Sequence, residues 1–326
     1  AEDVDEFMWN NPDFLIVAAA GNYPLGGDGT LGSPATAKNA LSVGGTYGGT
    51  SAEYLSDISA WGPTDDGRLK PDVVFPGASI DSAGNDGNIV SGNCGSARMT
   101  GTSMAAPGAA GNSLLVREYF ERGFYPTGTE VPADGFDASA ALVKAMMVNS
   151  GTEITADAEG RPVSIPSMKE GWGRIVLGDV LHFAGDDSGL FVDDNSGGFT
   201  SPSDSPVRYQ LEVLDGGVPL EVTLVWTDYP STPAATTHLL NDLDLRVDGA
   251  SGSYHGNHFY QGQSTDHGVA DRLNNVEGVL VNDPTPGVYS IEVSPHAIPF
   301  GPQPYALVVS GNVAVTTGPR PAYLSH

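Results

Sequence analysis

Ser103 lies in the segment MTGTSMAAPGAAGNSLLV, residues 99–116, between small residues and directly before an apolar run at helical spacing. A serine hydroxyl is a weak nucleophile until a base removes its proton and hydrogen-bond donors receive the charge that develops on the substrate. The free N–H groups and the positive dipole end of a helix N-terminus favour an anion, so Ser103 is a candidate nucleophile. An ordinary helix cap is the alternative, and an isolated Gly-Thr-Ser would favour it.

The elements expected around Ser103 describe an α/β fold. A wholly apolar run from Phe14 to Ala20 predicts a strand that is buried on both faces, as in a parallel sheet. In chain order, the predicted elements are a helix end at 4–9, strands at 14–20, 40–46 and 70–77, a helix from 101 that stops at Gly123, and a helix at 139–149 capped by Asp137 or Ser139.

The second half of the chain has a different pattern. Residues 185–204 are acidic and rich in Gly and Ser, which predicts a linker or a loosely held first strand. Six later segments alternate apolar and polar residues between turn residues: 207–215, 219–226, 242–248, 276–283, 287–294 and 305–311. They predict an antiparallel β-sandwich in which each sheet has one solvated face.

Composition excludes several classes of function. The 326 residues include 40 Asp and Glu against 14 Lys and Arg, a formal net charge of −26, which is unsuited to a nucleic-acid partner. The longest apolar run, Phe14 to Ala20, is far shorter than the roughly 20 residues of a membrane span. We therefore expect a protein that binds neither nucleic acid nor membrane.

Several segments resemble one protein family. The segment GTSMAAP, residues 101–107, is similar to the nucleophile signature of the subtilisin-like serine proteases, the subtilases of peptidase family S8. Four further segments resemble other family elements in the family's order: VAAAGN (17–22), GSPATAKNALSVGGT (32–46), ISAWGPTDDGRLKPDVVFPG (58–77) and EGWGRIVLGDVL (170–181). The second half, roughly 205–313, resembles the C-terminal β-domain of the oxidatively stable alkaline protease branch, the KP-43-like group.

The resemblance implies roles for individual residues. Ser103 would be the nucleophile that forms an acyl-enzyme, and Asn22 would be the oxyanion-hole asparagine. Implied substrate-binding positions are Ala19, Ala20, Gly21, Gly101 and Thr102. The family also implies a cis Ser33–Pro34 bond, which would place the carbonyl groups of 35–40 near a possible cation site.

The histidine and aspartate of the family's triad have no counterpart here. Their Asp-x-Gly and His-Gly-Thr-His motifs precede the serine in the family, whereas all seven histidines of this sequence follow Ser103. We expect the chain to begin partway through a catalytic domain, with an N-terminal fragment supplying both residues. A rearranged triad that uses His182 is the rival interpretation.

Oxygen-bearing side chains cluster in the predicted sandwich. The segments NDLDL (241–245) and DRLNNVE (271–277) place carboxylates and amides beside apolar strand residues, a ligand set that calcium prefers. The candidate ligands are Asp242, Asp244, Asp271 and Asn275, and a solvated turn face is the alternative. Cys94 is expected to be a small buried residue or to pair with a cysteine outside this sequence.

Together these features predict a subtilisin-like parallel sheet followed by an all-β jelly-roll sandwich. The expected division is 1–184 for the C-terminal portion of the catalytic domain, 185–204 for a linker or first strand, 205–313 for the sandwich and 314–326 for a tail. The predicted function is that of a secreted serine endopeptidase acting on protein or peptide substrates. The alternative is a catalytically silent scaffold that uses the same fold for binding.

Overall fold

The first half of the chain folds around a mainly parallel sheet. The computed structural model describes residues 1–24 and 27–317. The elements of this half are α1 (Glu2–Asn10), β1 (Val17–Ala19), β2 (Leu41–Thr46), β3 (Val73–Pro76), β4 (Ile80–Ala83), β5 (Ser96–Met99), α2 (Thr102–Glu121), α3 (Ala140–Asn149), β6 (Gly151–Thr152) and β7 (Arg174–Ile175). The strand order is β1-β2-β3-β7-β6, and only β6 runs antiparallel to its neighbour. The predicted α/β class of this half is confirmed.

Local chemistry sets the limits of the two long helices. Gly123, with φ of 70°, follows α2 in the left-handed conformation that ends helices. The hydroxyl of Ser139 accepts a hydrogen bond from the Leu142 N–H at 3.0 Å, so Ser139, one of the two predicted caps, begins α3.

An exposed ribbon of two strands, β4 and β5, lies between β3 and α2. No apolar pattern predicts it, because its segment is polar and rich in Gly and both strands are exposed. Cys94 lies in the connecting loop and is exposed, so the expectation that it is buried is wrong.

The second half forms two large antiparallel sheets and a two-stranded antiparallel ribbon, the last of strands 259–260 and 263–264. Its strands are β8 (Gly189–Phe199), β9 (Val207–Val213), β10 (Leu220–Val225), β11 (Asp242–Gly249), β12 (Gly252–His255), β13 (Phe259–Tyr260), β14 (Gln263–Ser264), β15 (Val276–Val281), β16 (Gly287–Ala297), β17 (Gln303–Gly311) and β18 (Val313–Thr317). One sheet has the order β15-β10-β17-β8 and the other β12-β11-β16-β9-β18. A β domain is therefore present, while its jelly-roll topology stays a prediction.

Parts of the predicted linker and tail belong to these sheets. Residues 185–204 contain β8, which pairs with β17, and residues 314–317 belong to β18, which pairs with β9. The remainder of the predicted tail, 318–326, lies outside the described residues.

The expectation of one solvated face per sheet is wrong for the sheet β15-β10-β17-β8. Nearly every residue of β10, β15 and β17 is buried. The reason is that α3, itself buried at all ten positions, packs on β10 and β17. One hydrophobic core consequently runs from the parallel sheet through α3 into the sandwich.

The Ser33–Pro34 bond is cis, as the resemblance implies. The nearby carbonyl groups are held by the protein's own cations. Arg68 Nη2 donates to the Thr36 carbonyl at 3.0 Å, and the Nζ atoms of Lys70 and Lys144 donate to the Ala40 carbonyl at 2.9 and 3.1 Å.

A buried ion pair joins the two halves. The ammonium of Lys38 donates to the Asp228 carboxylate, and both side chains are fully buried. The same carboxylate accepts hydrogen bonds from the N–H groups of Leu240 and Asn241, so its charge is well solvated by the protein. Beside it, the side-chain amide of Asn39 bonds both the N–H and the carbonyl of Asp228.

We expect Asp228→Asn to lower the free energy of unfolding by about 3–5 kcal/mol, because the ammonium of Lys38 would stay buried without a counter-charge. Chemical denaturation of both proteins measures the loss. Asp81→Asn is the control, since Asp81 pairs with Arg98 in an exposed position and should cost at most about 1 kcal/mol. Equal losses in the two variants would contradict the role given to the Lys38 pair.

Candidate active site

Ser103 is the second residue of α2 and is exposed. The preceding residue, Gly101, has extended backbone, its N–H donates to the Gly77 carbonyl at 2.9 Å, and its own carbonyl accepts from Met104. A Cβ atom at Gly77 would lie 2.8 Å from the Gly101 carbonyl oxygen, so this approach requires glycine at 77. The end of β3 thus fixes where α2 begins and holds Ser103 at its first turn.

Asn22 is held beside the start of α2 by a single neighbour. The N–H and the hydroxyl of Thr102 donate to Asn22 Oδ1 at 2.8 and 2.9 Å. Because a backbone N–H can only donate, the amide oxygen must face Thr102, and Nδ2 of Asn22 has no hydrogen-bond partner among the described residues. A Cβ atom at Gly101 would lie 3.2 Å from Nδ2, so this donor lies close to the residue that precedes α2.

The hydroxyl of Thr102 also holds the end of β1. It accepts a hydrogen bond from the Gly21 N–H at 3.1 Å, while the Gly21 carbonyl accepts from Ala60 at 2.9 Å. Gly21 has φ of 114°, a left-handed value that favours glycine.

The five predicted substrate-binding positions therefore meet where β1 ends and α2 begins. The side chains of Ala20 and Thr102 are buried, at 1% and 0% exposure. In the described structure, these two residues therefore offer almost no accessible surface to a peptide.

His182 lies far from Ser103. Its ring Nδ1 is 2.6 Å from the Ser188 carbonyl oxygen, and its own carbonyl accepts from the Tyr119 hydroxyl at 2.7 Å. Tyr119 follows Ser103 by sixteen residues on α2, about 24 Å along the helix axis. His182 therefore cannot act as the base for Ser103, and the rearranged triad is wrong.

A cluster of three carboxylates lies in the sandwich. Oxygen atoms of Asp242, Asp244 and Glu277 all lie within 4.8 Å of one another. The guanidinium of Arg272 contacts Asp242 and Asp244. Two of the four predicted ligands are thus brought together, and Glu277 is a third that the sequence analysis missed, although a charge inside the apolar strand β15 was a usable signal.

The other two predicted ligands have different partners. The Asp271 carboxylate accepts from the Leu273 N–H at 2.7 Å and from Asn274 Nδ2 at 2.6 Å, so it stabilises its own turn. Asn275 is buried, and its Nδ2 donates to Asn39 Oδ1 and to the Trp226 carbonyl.

The carboxylate cluster suits a hard cation. Glu277 is fully buried; its Oε2 accepts from the Leu245 N–H at 2.7 Å, and its Oε1 has no partner among the described residues. Burial raises the pKa of Glu277 well above its usual range, and burial raises the pKa of Asp242 to about 7. One guanidinium against three carboxylates leaves negative charge and an orphaned oxygen, and calcium prefers such oxygen ligands.

Comparison with known proteins identifies the family. A family model described as the subtilase family matches residues 1–173, more than half of the chain. The chain belongs to the subtilase family.

No helix within 1–24 and 27–317 combines the length and apolar character needed to cross a membrane.

The relatives of this subtilase are named as proteases. The serine protease/ABC transporter B family protein tagA of Dictyostelium discoideum is 27% identical over 94% of this chain and 23% of its own length. The C5a peptidase of Streptococcus pyogenes is 35% identical over 32% of this chain and 8% of its own. The chain spans about a quarter of the length of the Dictyostelium relatives. A solved serine protease of Aeromonas sobria aligns with 95% of this chain and 68% of its own at 13% identity, but its TM-score of 0.34 is too low to carry an argument.

We expect Thr102→Val to lower the free energy of unfolding by about 1–3 kcal/mol, because the half-buried Gly21 N–H loses its partner and Asn22 Oδ1 loses one of two donors. Thermal or chemical denaturation measures the change. Thr127→Val, at an exposed turn position, is the matched control and should stay within about 0.5 kcal/mol. A loss at Thr102 no larger than that at Thr127 would show that this hydroxyl does not hold the site.

Proposed function

We propose that this chain is the C-terminal part of a secreted serine endopeptidase that cleaves polypeptides through an acyl-enzyme on Ser103. In this reaction the Ser103 oxygen attacks the peptide carbonyl carbon, its proton passes to a histidine, and the amine of the cut bond leaves. The exposed position of Ser103 at the first turn of α2 supports this role.

The single observation that carries the proposal is the fixed Asn22 amide. Two hydrogen bonds from Thr102 orient its oxygen, so its Nδ2 is a preorganised donor close to Gly101, two residues before Ser103. A donor fixed in advance stabilises the negative charge of the tetrahedral intermediate without reorganisation. A silent scaffold has no use for this arrangement, so the geometry supports an enzyme.

We further propose that the histidine and aspartate come from an N-terminal catalytic fragment that docks on this half. β1 pairs only with β2 in the described structure, so its other edge is open. Next to that edge α2 exposes Leu114 and Leu115, at 66% and 53%, and Phe14 is 56% exposed. An open parallel edge beside an apolar helix face is the surface that further strands would cover.

In the sandwich we propose a calcium ion held by Asp242, Asp244 and Glu277. When bound, the ion would supply positive charge to the buried carboxylates and would stabilise the domain, with no part in peptide cleavage. Asp271 and Asn275, predicted from the sequence, lie outside this set.

The finer assignments rest on the sequence resemblance. We assign the subtilase to the oxidatively stable alkaline protease branch, with a catalytic portion at 1–184, a linker or first strand at 185–204 and a jelly-roll domain at 205–313. The acidic surface is compatible with secretion, and the substrate is a protein or peptide.

The test is covalent labelling of Ser103 with a fluorophosphonate. The 326-residue chain alone should be inert, because without an imidazole the serine keeps the high pKa of an alcohol. Labelling should appear when the chain is refolded with an upstream segment that carries the triad Asp and His. Mass spectrometry of the labelled peptide identifies the site.

Two variants of the reconstituted protein serve as controls. Ser103→Ala should abolish labelling, and Asn22→Ala should slow it by about 10²–10³-fold, the size known for loss of one oxyanion-hole donor. Rapid labelling of the isolated chain would show that a local base exists and would overturn the proposal. An unchanged rate in Asn22→Ala would remove Asn22 from the site.

Calcium should raise the melting temperature of the chain, and excess chelator should lower it, because only the folded protein binds the ion. The measurement is thermal unfolding with and without chelator. Glu277→Gln should abolish the difference, whereas Asp248→Asn, on the same strand as Asp242 but outside the cluster, should keep it. Identical midpoints in the parent protein would show that the carboxylate cluster binds no calcium.

A further inference from the structure

The ribbon of β4 and β5 is attached to the molecule beside the candidate active site. At its base the N–H of Gly101, which precedes α2, donates to the carbonyl of Gly77, which follows β3, at 2.9 Å. The two strands pair over four residues each, and seven of these eight positions are exposed. The segment beyond this ladder, residues 84–95, is here named the tip loop. It is joined to the site at Ser103 only through the exposed ladder.

In the part of the chain that the structure describes, the tip loop forms hydrogen bonds only with itself. The Gly84 N–H donates to the Gly95 carbonyl at 2.8 Å and closes the loop, and the Ser91 hydroxyl donates to the Asp86 carboxylate at 2.7 Å inside it. All residues from 85 to 95 are exposed. Since no hydrogen bond to the rest of the molecule has to break, the loop can open locally while the core stays folded.

Two apolar side chains lie at the centre of the tip loop. Ile89 and Val90 are 101% and 83% exposed, and a Cβ atom added at Gly87 or Gly92 on either side would meet nothing within 4 Å. Another molecule can therefore reach both the side chains and the backbone of this pair. Exposed loop tips of this kind are the preferred sites at which peptidases nick a folded protein.

The ladder keeps the tip loop away from Ser103 of its own chain. Four residues of β5 separate the loop from the base of the ribbon, which is about 13 Å at the rise of a β-strand. To enter its own active site, the loop would have to fold back over this distance and lose its internal hydrogen bonds. A cut by a second molecule requires neither movement.

We propose that the tip loop is a self-processing site, in which Ser103 of a second copy of this protein cuts a peptide bond of Ile89 or Val90. The Ser103 oxygen of that copy attacks the carbonyl carbon, the C–N bond breaks, and the amine leaves with the proton that the histidine took from Ser103. Water then hydrolyses the acyl-enzyme, which restores the Ser103 hydroxyl and leaves a new carboxylate. This proposal rests on the peptidase function proposed above.

The two pieces of a cut chain should stay together. β1, β2 and β3 belong to the first piece and α2 to the second, and α2 packs against all three strands. The hydrophobic core formed by these elements contains no residue of the tip loop. The product is therefore a nicked protein of two associated chains, with Ser103 near the start of the second.

The experiment separates the enzyme from its substrate. The enzyme is the chain reconstituted with the upstream segment that carries the triad Asp and His, and the substrate is the Ser103→Ala chain, which cannot cut itself. We expect one early cut at Ile89 or Val90, located by mass spectrometry of the new termini. Both fragments should elute together in size-exclusion chromatography. A first cut outside the tip loop would overturn the proposal.

Two variants of the substrate chain serve as a matched pair, and their melting temperatures verify that both are folded. Ile89→Pro/Val90→Pro should prevent the cut, because proline has no N–H and fixes φ. Ile89→Ala/Val90→Ala keeps both N–H groups and should still be cut. Cleavage of the proline variant at the parent rate would contradict the assignment of the site.

Denatured casein measures the peptidase function independently. If the reconstituted enzyme cuts casein and leaves the tip loop intact, this proposal alone is wrong; if it cuts neither, the proposed function fails as well. In the reconstituted protein that retains Ser103, the fraction cut per unit time should rise in proportion to protein concentration. A rate that does not change with concentration would show that the cut occurs within one molecule, and the assignment to a second copy would be wrong.

Discussion

The two halves of this subtilase share the helix α3, which is buried at all ten of its positions. Eight of its ten residues are apolar, so the helix must be covered on every side, and here α2 and the parallel sheet cover one side while β10 and β17 cover the other. This constraint explains why the sandwich sheet next to α3 has no solvated face. The charged pair of Lys38 and Asp228 lies at the same junction, with both side chains fully buried.

Sequence patterns predict most of the elements but not how they meet. The apolar runs at 14–20, 40–46 and 70–77 each contain a parallel strand, and the helical spacing after Gly101 defines α2. Alternation along the second half identifies six strands correctly, but it corresponds to one buried and one solvated face only in β9, β11 and β16. The same alternation wrongly predicts a solvent-exposed face on the sheet next to α3, since burial by a helix distant in sequence leaves no local signal.

The candidate site also has features that the sequence predicts and features that only the fold shows. Ser103 and Asn22 come from motifs, and the structure places both at the start of α2. The structural role of Thr102 cannot be predicted from the sequence. Its hydroxyl forms hydrogen bonds with Gly21 and Asn22, which lie about 80 residues away in the chain. Glu277 is a similar case: it lies in a strand that otherwise reads as plain core, and only the fold brings it to Asp242 and Asp244.

The carbonyl groups near the cis Ser33–Pro34 bond are held in part by a lysine whose buried charge affects the stability of the fold in alkaline solution. They accept hydrogen bonds from Arg68, Lys70 and Lys144, so basic side chains of the chain itself hold this loop. Burial lowers the pKa of Lys70 to about 7, although Asp72 opposes the shift. Between that value and the usual lysine pKa near 10.4, the unfolded chain binds more protons at this residue than the folded one. The free-energy cost of burying charged Lys70 therefore falls as the pH rises through this range.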